Sequence, residues 1–157
     1  MANKNILVGL TTTKGSDWRT KSEEIKKFGI KEIALFPTGL RLEERKELYV
    51  LLEKTGLEKI PHVHLRDDME EWEMDFLVER YKTEVFNFHA DEWGVKSLQY
   101  DKYLDRMYVE NFTEIDRCFA DCVKKCAGIC LDVSHWEDYG VIQKNDGYES
   151  FKYFRKK

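Results

Sequence analysis

The sequence predicts an α/β fold built from six βα units around a parallel sheet. Short apolar runs alternate with segments of helical spacing, and the runs begin about 24 residues apart on average. Polar residues collect where these runs end. Eight units of this length would need roughly 195 residues plus loops, the size of a compact barrel. We therefore expect a partial TIM (β/α) barrel of six βα units, with strands seven and eight absent.

The predicted elements follow one another in strict alternation. Strands are expected at residues 6–10, 32–36, 60–65, 84–89, 107–111 and 128–133. Helices are expected at residues 17–28, 41–54, 69–81 and 97–106, then from residue 113 onward, and finally at 148–154. Gly29 and Gly56 follow the first two helices, where glycine commonly ends a helix, and Pro37 stops the second strand. Thr113 and Asp116 resemble a capping box with aspartate in place of glutamate, so they open the fifth helix.

Apolar side chains recur at helical spacing inside these segments. In the second helix Leu48, Leu51 and Leu52 share a face, and in the third Trp72 and Phe76 lie four apart. The stripe of the fifth helix consists of Ile115, Cys118, Phe119, Cys122, Val123 and Cys126. Because free cysteine packs as a small apolar residue, we interpret these thiols as core residues and not as a metal cluster.

Length and composition favour a single domain over residues 1–157, incomplete at its carboxyl end. Of the 157 residues, 42% are hydrophobic and 36% are charged, as in soluble globular proteins. The net charge of −4 without a basic stripe argues against nucleic acid as a partner. Because residues 6–10 are too short for a signal-peptide core and no later segment approaches a membrane span, we expect a cytoplasmic protein without membrane contact.

Polar side chains lie at the ends of four consecutive predicted strands. They are His62 and His64, Asn87 and His89, Tyr108 and Glu110, and Cys130 and Asp132, with His135 following. Side chains alternate along a strand, and barrel enzymes place working residues at the carboxyl ends of strands. A lone strand-end histidine is more often structural, but the joint set favours a site. Imidazole and carboxylate ligands suit a divalent metal, with Mn, Zn, Mg and Co left open.

Such a site would polarise a carbonyl or hydroxyl group while a carboxylate moves a proton. Trp93 and Trp136 follow His89 and His135 in the same loops. They either form the wall of a substrate pocket or only pack the loops, and the sequence leaves both interpretations open.

Four segments resemble the xylose isomerase-like TIM barrels, a family of sugar and sugar-phosphate isomerases and epimerases that also includes metal-dependent apurinic endonucleases. The segments are residues 61–65, 86–89, 109–111 and 130–135. The spacing of Asp132 and His135 is the most specific match, and Glu110 followed by Asn111 is the next.

The resemblance implies a role for each matched residue. Glu110, Asp132 and His135 would be the metal ligands, and Glu110 would also handle protons. His64 and His89 would be catalytic pocket residues, in positions that bind metal in the endonuclease branch. Beside these, we expect His62, Asn87, Trp93 and Trp136 to be substrate-binding residues, the two tryptophans from their place in the loops and not from the resemblance.

The leading hypothesis is a divalent-metal-dependent sugar or sugar-phosphate isomerase or epimerase that acts on a small carbohydrate. The family takes further ligands from strands seven and eight, so this chain is expected to be truncated, and inactive unless completed. One alternative is a metal-dependent phosphodiesterase like the apurinic endonucleases. Another is a non-catalytic barrel fragment, or a half-site completed by a partner. Open edges at strands one and six would favour self-association.

Overall fold

In the computed structural model, which describes residues 6–90 and 94–149, strands and helices alternate along the chain. The strands are β1 (Val8–Thr11), β2 (Glu32–Phe36), β3 (Lys59–His64), β4 (Val85–His89), β5 (Met107–Glu110) and β6 (Gly128–Cys130). They form one six-stranded sheet in chain order, and every described strand pair is parallel. The predicted α/β fold with six βα units is therefore confirmed, and it is compatible with a partial barrel.

In the part of the chain that the structure describes, five α-helices connect or follow the strands. They are α1 (Trp18–Lys27), α2 (Leu42–Glu53), α3 (Glu71–Tyr81), α4 (Arg117–Lys125) and the single turn α5 (Val133–His135). A π-helix, Trp136–Ile142, continues directly from α5. Within residues 6–90 and 94–149, no helix is long and apolar enough to cross a membrane.

Three predicted elements differ from the structure, and a fourth lies mostly outside the described residues. The fifth helix, expected from residue 113, begins at Arg117, because Asp116 and not Thr113 is its N-cap. The helix expected at 97–106 is replaced by two 3₁₀ helices, Gly94–Gln99 and Asp101–Arg106. Among the described side chains of this segment only Tyr103 is buried, so no apolar stripe supports a longer α-helix. The strand expected at 128–133 ends at Cys130, because Asp132 already caps the next helix. Of the helix expected at 148–154, residues 150–154 lie outside the described residues.

The chain divides into two compact units, Met1–Val85 and Phe86–Lys157. In the first unit, β1 pairs with β2 from Val8 opposite Ile33, and β2 pairs with β3. Ile33 and Leu35 on β2 are fully buried, and Ala34 between them is 5% exposed. Burial of both faces is typical of a parallel sheet covered by helices. A single domain over residues 1–157 stays a prediction.

A buried ion pair connects α2 with α3 in the first unit. Arg45 and Glu73 are both fully buried, and two guanidinium nitrogens of Arg45 donate to the two carboxylate oxygens of Glu73 at 2.8 Å. The hydroxyl of Tyr49 donates to the same carboxylate at 2.9 Å. Arg45 also donates to the Leu40 carbonyl and to Asp68, so it ties the loops after β2 and β3 to α2.

In the second unit, the register of three parallel strands brings their carboxyl ends level. His89, the last residue of β4, is the partner of Glu110, the last residue of β5. Glu110 is in turn the partner of Cys130, the last residue of β6. Strand-end side chains of this unit therefore start from one edge of the sheet.

Candidate metal centre

Glu110 occupies the centre of the cluster at this edge. Its side chain is buried, with 4% of the residue exposed. One carboxylate oxygen, Oε2, accepts a hydrogen bond from the Asn87 side-chain amide. The other oxygen, Oε1, lies 3.5 Å from Nε2 of His89 and 3.3 Å from Nε2 of His135. Asn87 thus holds one oxygen while the other is directed at two imidazoles.

Asp132 begins the helical turn that carries His135. Its Oδ1 accepts hydrogen bonds from the backbone nitrogens of Ser134 at 2.7 Å and His135 at 3.1 Å, the geometry of an N-cap. Its Oδ2 lies 3.8 Å from Nε2 of His135. Partial burial raises the pKa of Asp132, but hydrogen bonds from Ser134 and His135 and the His135 charge outweigh it, so the pKa is below its ordinary value. Asp132 therefore remains a carboxylate over the neutral range.

The geometry of these side chains fits a divalent ion. The ligand atoms of Glu110, Asp132 and His135 all lie within 4.8 Å of one another. Donor atoms bound to one divalent ion at about 2.1 Å lie roughly 3.0 to 3.4 Å apart. The separations of 3.3 Å and 3.8 Å from His135 Nε2 to the two carboxylates are within a few tenths of an ångström of that range.

The charge of the cluster also favours a divalent cation. Two carboxylates, Glu110 and Asp132, lie against the imidazoles of His89 and His135. A buried carboxylate is costly unless its charge is compensated. A divalent cation would supply that compensation, so this group could hold a metal ion.

Aromatic rings that the sequence analysis did not identify support the two histidines. The ring of Phe112 stacks on His89 with centroids 4.0 Å apart and an interplanar angle of 3°. The same ring meets His135 edge-on at 5.0 Å, and Tyr139 contacts both Phe112 and His135 at 5.6 Å. Their sequence signal was only positional, since Phe112 follows Glu110 by two residues and Tyr139 follows His135 by four.

Two of the cysteines, Cys122 and Cys130, have thiols whose pKa is raised by burial. Cys130 sits opposite Glu110 on β6, and burial, with the Glu110 and Asp132 carboxylates, raises its pKa to about 12. Burial and the neighbouring Cys118 raise the pKa of Cys122 to about 12 as well. No cysteine belongs to the candidate metal-holding groups found in the described parts of the chain.

Two further predicted site residues, His62 and His64, lie on β3 in the first unit. In the first unit, His64 is 8% exposed, with Nδ1 2.8 Å from the Leu65 carbonyl oxygen. His62 meets the ring of Phe36 edge-on at 5.6 Å, and Phe36 also lies 6.2 Å from His64, so both histidines reach the same neighbour. Their roles in catalysis and substrate binding stay predictions.

The two predicted tryptophans are also placed differently. Trp136 lies edge-on to Tyr148, with ring centroids 6.0 Å apart. Trp93 lies outside the described residues. The substrate-binding roles of Trp136, Trp93 and Asn87 stay predictions, to which the structure adds the contact of Asn87 with Glu110.

Comparisons with protein-family models, with curated proteins and with solved structures find no match to this chain. We therefore infer the function from the parallel βα fold and from the contacts of the cluster.

Proposed function

We propose that Glu110, Asp132 and His135 bind a divalent metal ion and that the protein uses it for proton transfer next to a carbonyl in a sugar or sugar phosphate. The observation that carries this proposal is the convergence of Glu110 Oε1, Asp132 Oδ2 and His135 Nε2. Mixed carboxylate and imidazole ligands suit Mn, Zn, Co or Mg. The resemblance of four segments to the xylose isomerase-like barrels supports the reaction class.

The bound ion would supply Lewis-acid polarisation of the substrate carbonyl. The protein's own residues handle the proton. In this proposal a carboxylate or imidazole takes the proton from the carbon beside the carbonyl, the C–H bonding electrons move toward the carbonyl oxygen, and a proton returns to carbon. His89 Nε2 and the Glu110 carboxylate are the candidates for this transfer, and His89 Nε2 lies 3.5 Å from Glu110 Oε1.

The surrounding residues would keep these groups in position. Asn87 fixes one oxygen of Glu110 and leaves Oε1 toward the histidines. The parallel stacking of Phe112 limits rotation of the His89 ring. Groups that are held before the substrate arrives do not have to be ordered during the reaction.

The metal site is tested by calorimetric titration of chelator-treated protein with Mn²⁺, Zn²⁺, Co²⁺ and Mg²⁺. The wild type should bind one ion per chain, and Asp132→Asn and His135→Ala should weaken binding at least about tenfold. Asp138→Asn is the matched control, because Asp138 lies on the helix that follows His135 and contacts Gln143 instead of the cluster. Equal affinities in all four proteins would refute the site.

The reaction is tested separately by proton NMR in D₂O with a panel of aldoses, ketoses and their phosphates. We expect metal-dependent loss of the proton signal at the carbon beside the carbonyl, and loss of this exchange in Glu110→Gln. Metal binding without exchange on any sugar would remove the isomerase assignment and leave the metal site. Nicking of an abasic DNA duplex by the metal-loaded protein would favour the phosphodiesterase alternative.

A further inference from the structure

We propose that Asn111 is a positioning residue of the metal centre, which sets the place of Asp132 relative to Glu110. This inference rests on the proposed metal site. It concerns a residue that contacts no candidate ligand atom through its own side chain but holds the backbone from which one ligand projects.

Two hydrogen bonds of the Asn111 side chain are directed at Asp132, and the side chain also contacts Tyr148. Asn111 is fully buried. Its Oδ1 accepts a hydrogen bond from the Asp132 backbone nitrogen at 2.8 Å, and its Nδ2 donates to the Asp132 carbonyl oxygen at 2.9 Å. Both polar atoms of the side-chain amide are thus used on both backbone groups of Asp132.

This arrangement extends strand pairing beyond the end of β6. The ladder between β5 and β6 ends at the pair Glu110 and Cys130. Past that pair, the side-chain amide of Asn111 offers the acceptor and donor that a neighbouring strand would otherwise present. The residue that it holds, Asp132, therefore has a defined backbone position although it lies outside the strand.

The hydrogen bonds of Asp132 also reach the turn that carries the third ligand, His135. The Asp132 carbonyl, besides accepting from Asn111, accepts from the Trp136 backbone nitrogen at 3.0 Å, and Asp132 Oδ1 caps the turn that contains His135. Glu110 precedes Asn111 directly in the chain. The Asn111 side chain therefore joins the backbone next to Glu110 to the turn that carries Asp132 and His135. Outer partners of this kind commonly change metal affinity by about 10- to 100-fold.

The test compares Asn111→Asp with Asn145→Asp. Aspartate at 111 keeps the size of the side chain but places an oxygen against the Asp132 carbonyl, where the amide donated. Asn145 is a matched control, because its Nδ2 also donates to a backbone carbonyl, that of Thr113, at 2.7 Å, and it contacts no candidate ligand. Binding of Co²⁺ is followed by calorimetry and by the visible absorption spectrum of the bound ion, and folding by circular dichroism.

We expect Asn111→Asp to fold, to bind Co²⁺ about 10- to 100-fold more weakly than the wild type and to give an altered visible spectrum. Asn145→Asp should keep the wild-type affinity and spectrum. If the wild type binds and Asn111→Asp matches it in both, the positioning role is wrong and the metal site stands. If the wild type itself binds no metal, both proposals fail.

If Asn111→Asp does not fold, Asn111→Ser replaces it in the test. Serine offers one hydrogen-bonding group to the Asp132 backbone in place of two, and it adds no charge. A folded Asn111→Ser protein with weaker binding and a changed spectrum supports the inference in the same way. If neither variant folds, Asn111 is required for the fold itself and its assignment to the metal centre is overturned.

Discussion

At the scale of single residues, the candidate metal centre depends on which atom of each side chain is already hydrogen-bonded to the protein. Glu110 and Asp132 each have one oxygen in hydrogen bonds to protein groups, and the other lies near an imidazole nitrogen. This division leaves one oxygen of each carboxylate directed at the same point. A site formed in this way needs little rearrangement to accept an ion.

Phe112→Leu tests the support of the two histidines. Loss of the stacked and edge-on ring contacts should lower the free energy of unfolding by about 1 kcal/mol and weaken metal binding. Phe28→Leu is the control, because Phe28 is 66% exposed in the first unit. Urea denaturation and metal titration measure the two effects. Equal values for both variants would show that the ring contacts do not hold the histidines.

Cys122 gives a pH-dependent prediction away from the metal centre. Its folded pKa is raised to about 12, so the thiol is favoured in the folded state, and its contribution to stability is lost as the pH rises from the unfolded value through about 12. At pH 8 the folded thiolate fraction is roughly a thousandfold smaller than in the unfolded chain.

Iodoacetamide at pH 8 should therefore modify Cys122 at least about tenfold more slowly in the native protein than in urea. Peptide mass spectrometry assigns the modified residue. Native Cys122 that reacts as fast as the unfolded chain would contradict the raised pKa.

At the scale of elements, sequence periodicity predicted the strands well but their ends less well. The apolar runs located all six strands, because a parallel sheet covered on both faces needs continuous apolar segments. The end of β6 was predicted too far along the chain, because Asp132 caps the following helix and does not continue the strand. The start of α4 was also missed, because local spacing alone could not show which of two polar residues receives the backbone nitrogens.

Asp116→Ala and Thr113→Ala separate these two interpretations of α4. In the structure Asp116 is the N-cap and accepts from the Phe119 backbone nitrogen at 3.0 Å. Its replacement should lower the free energy of unfolding by about 1 kcal/mol, and Thr113→Ala should cost less. Thermal or urea denaturation gives both values. A larger effect at Thr113 would restore the capping box that the sequence suggested.

At the scale of the whole molecule, the sequence predicted site residues whose ligand chemistry and local spacing agree. It could not predict contacts between segments that are far apart in the chain. Asp132 and His135 were identified because they lie three positions apart and both are ligand types. The roles of Asn111 and Arg45 could not be predicted in this way. Each depends on a segment more than 20 residues away, Asp132 for Asn111 and Glu73 for Arg45, and neither partner is marked in the local pattern.

Arg45 provides the test of how a buried charge supports the first unit. Arg45→Met alone leaves Glu73 buried without its partner, and it should lower the free energy of unfolding by about 3 to 5 kcal/mol. The double variant Arg45→Met, Glu73→Leu removes both charges and should recover most of that loss, because well-packed apolar residues can replace a buried pair.

The exposed pair Arg19 and Glu47, whose side chains are 53% and 45% exposed, is the control. Arg19→Met should change the free energy of unfolding by no more than about 1 kcal/mol, since water already solvates both groups. Urea denaturation of the four proteins at neutral pH measures the differences. If Arg45→Met costs no more than Arg19→Met, the buried pair does not hold α2 against α3, and packing of the apolar residues around it must account for that contact.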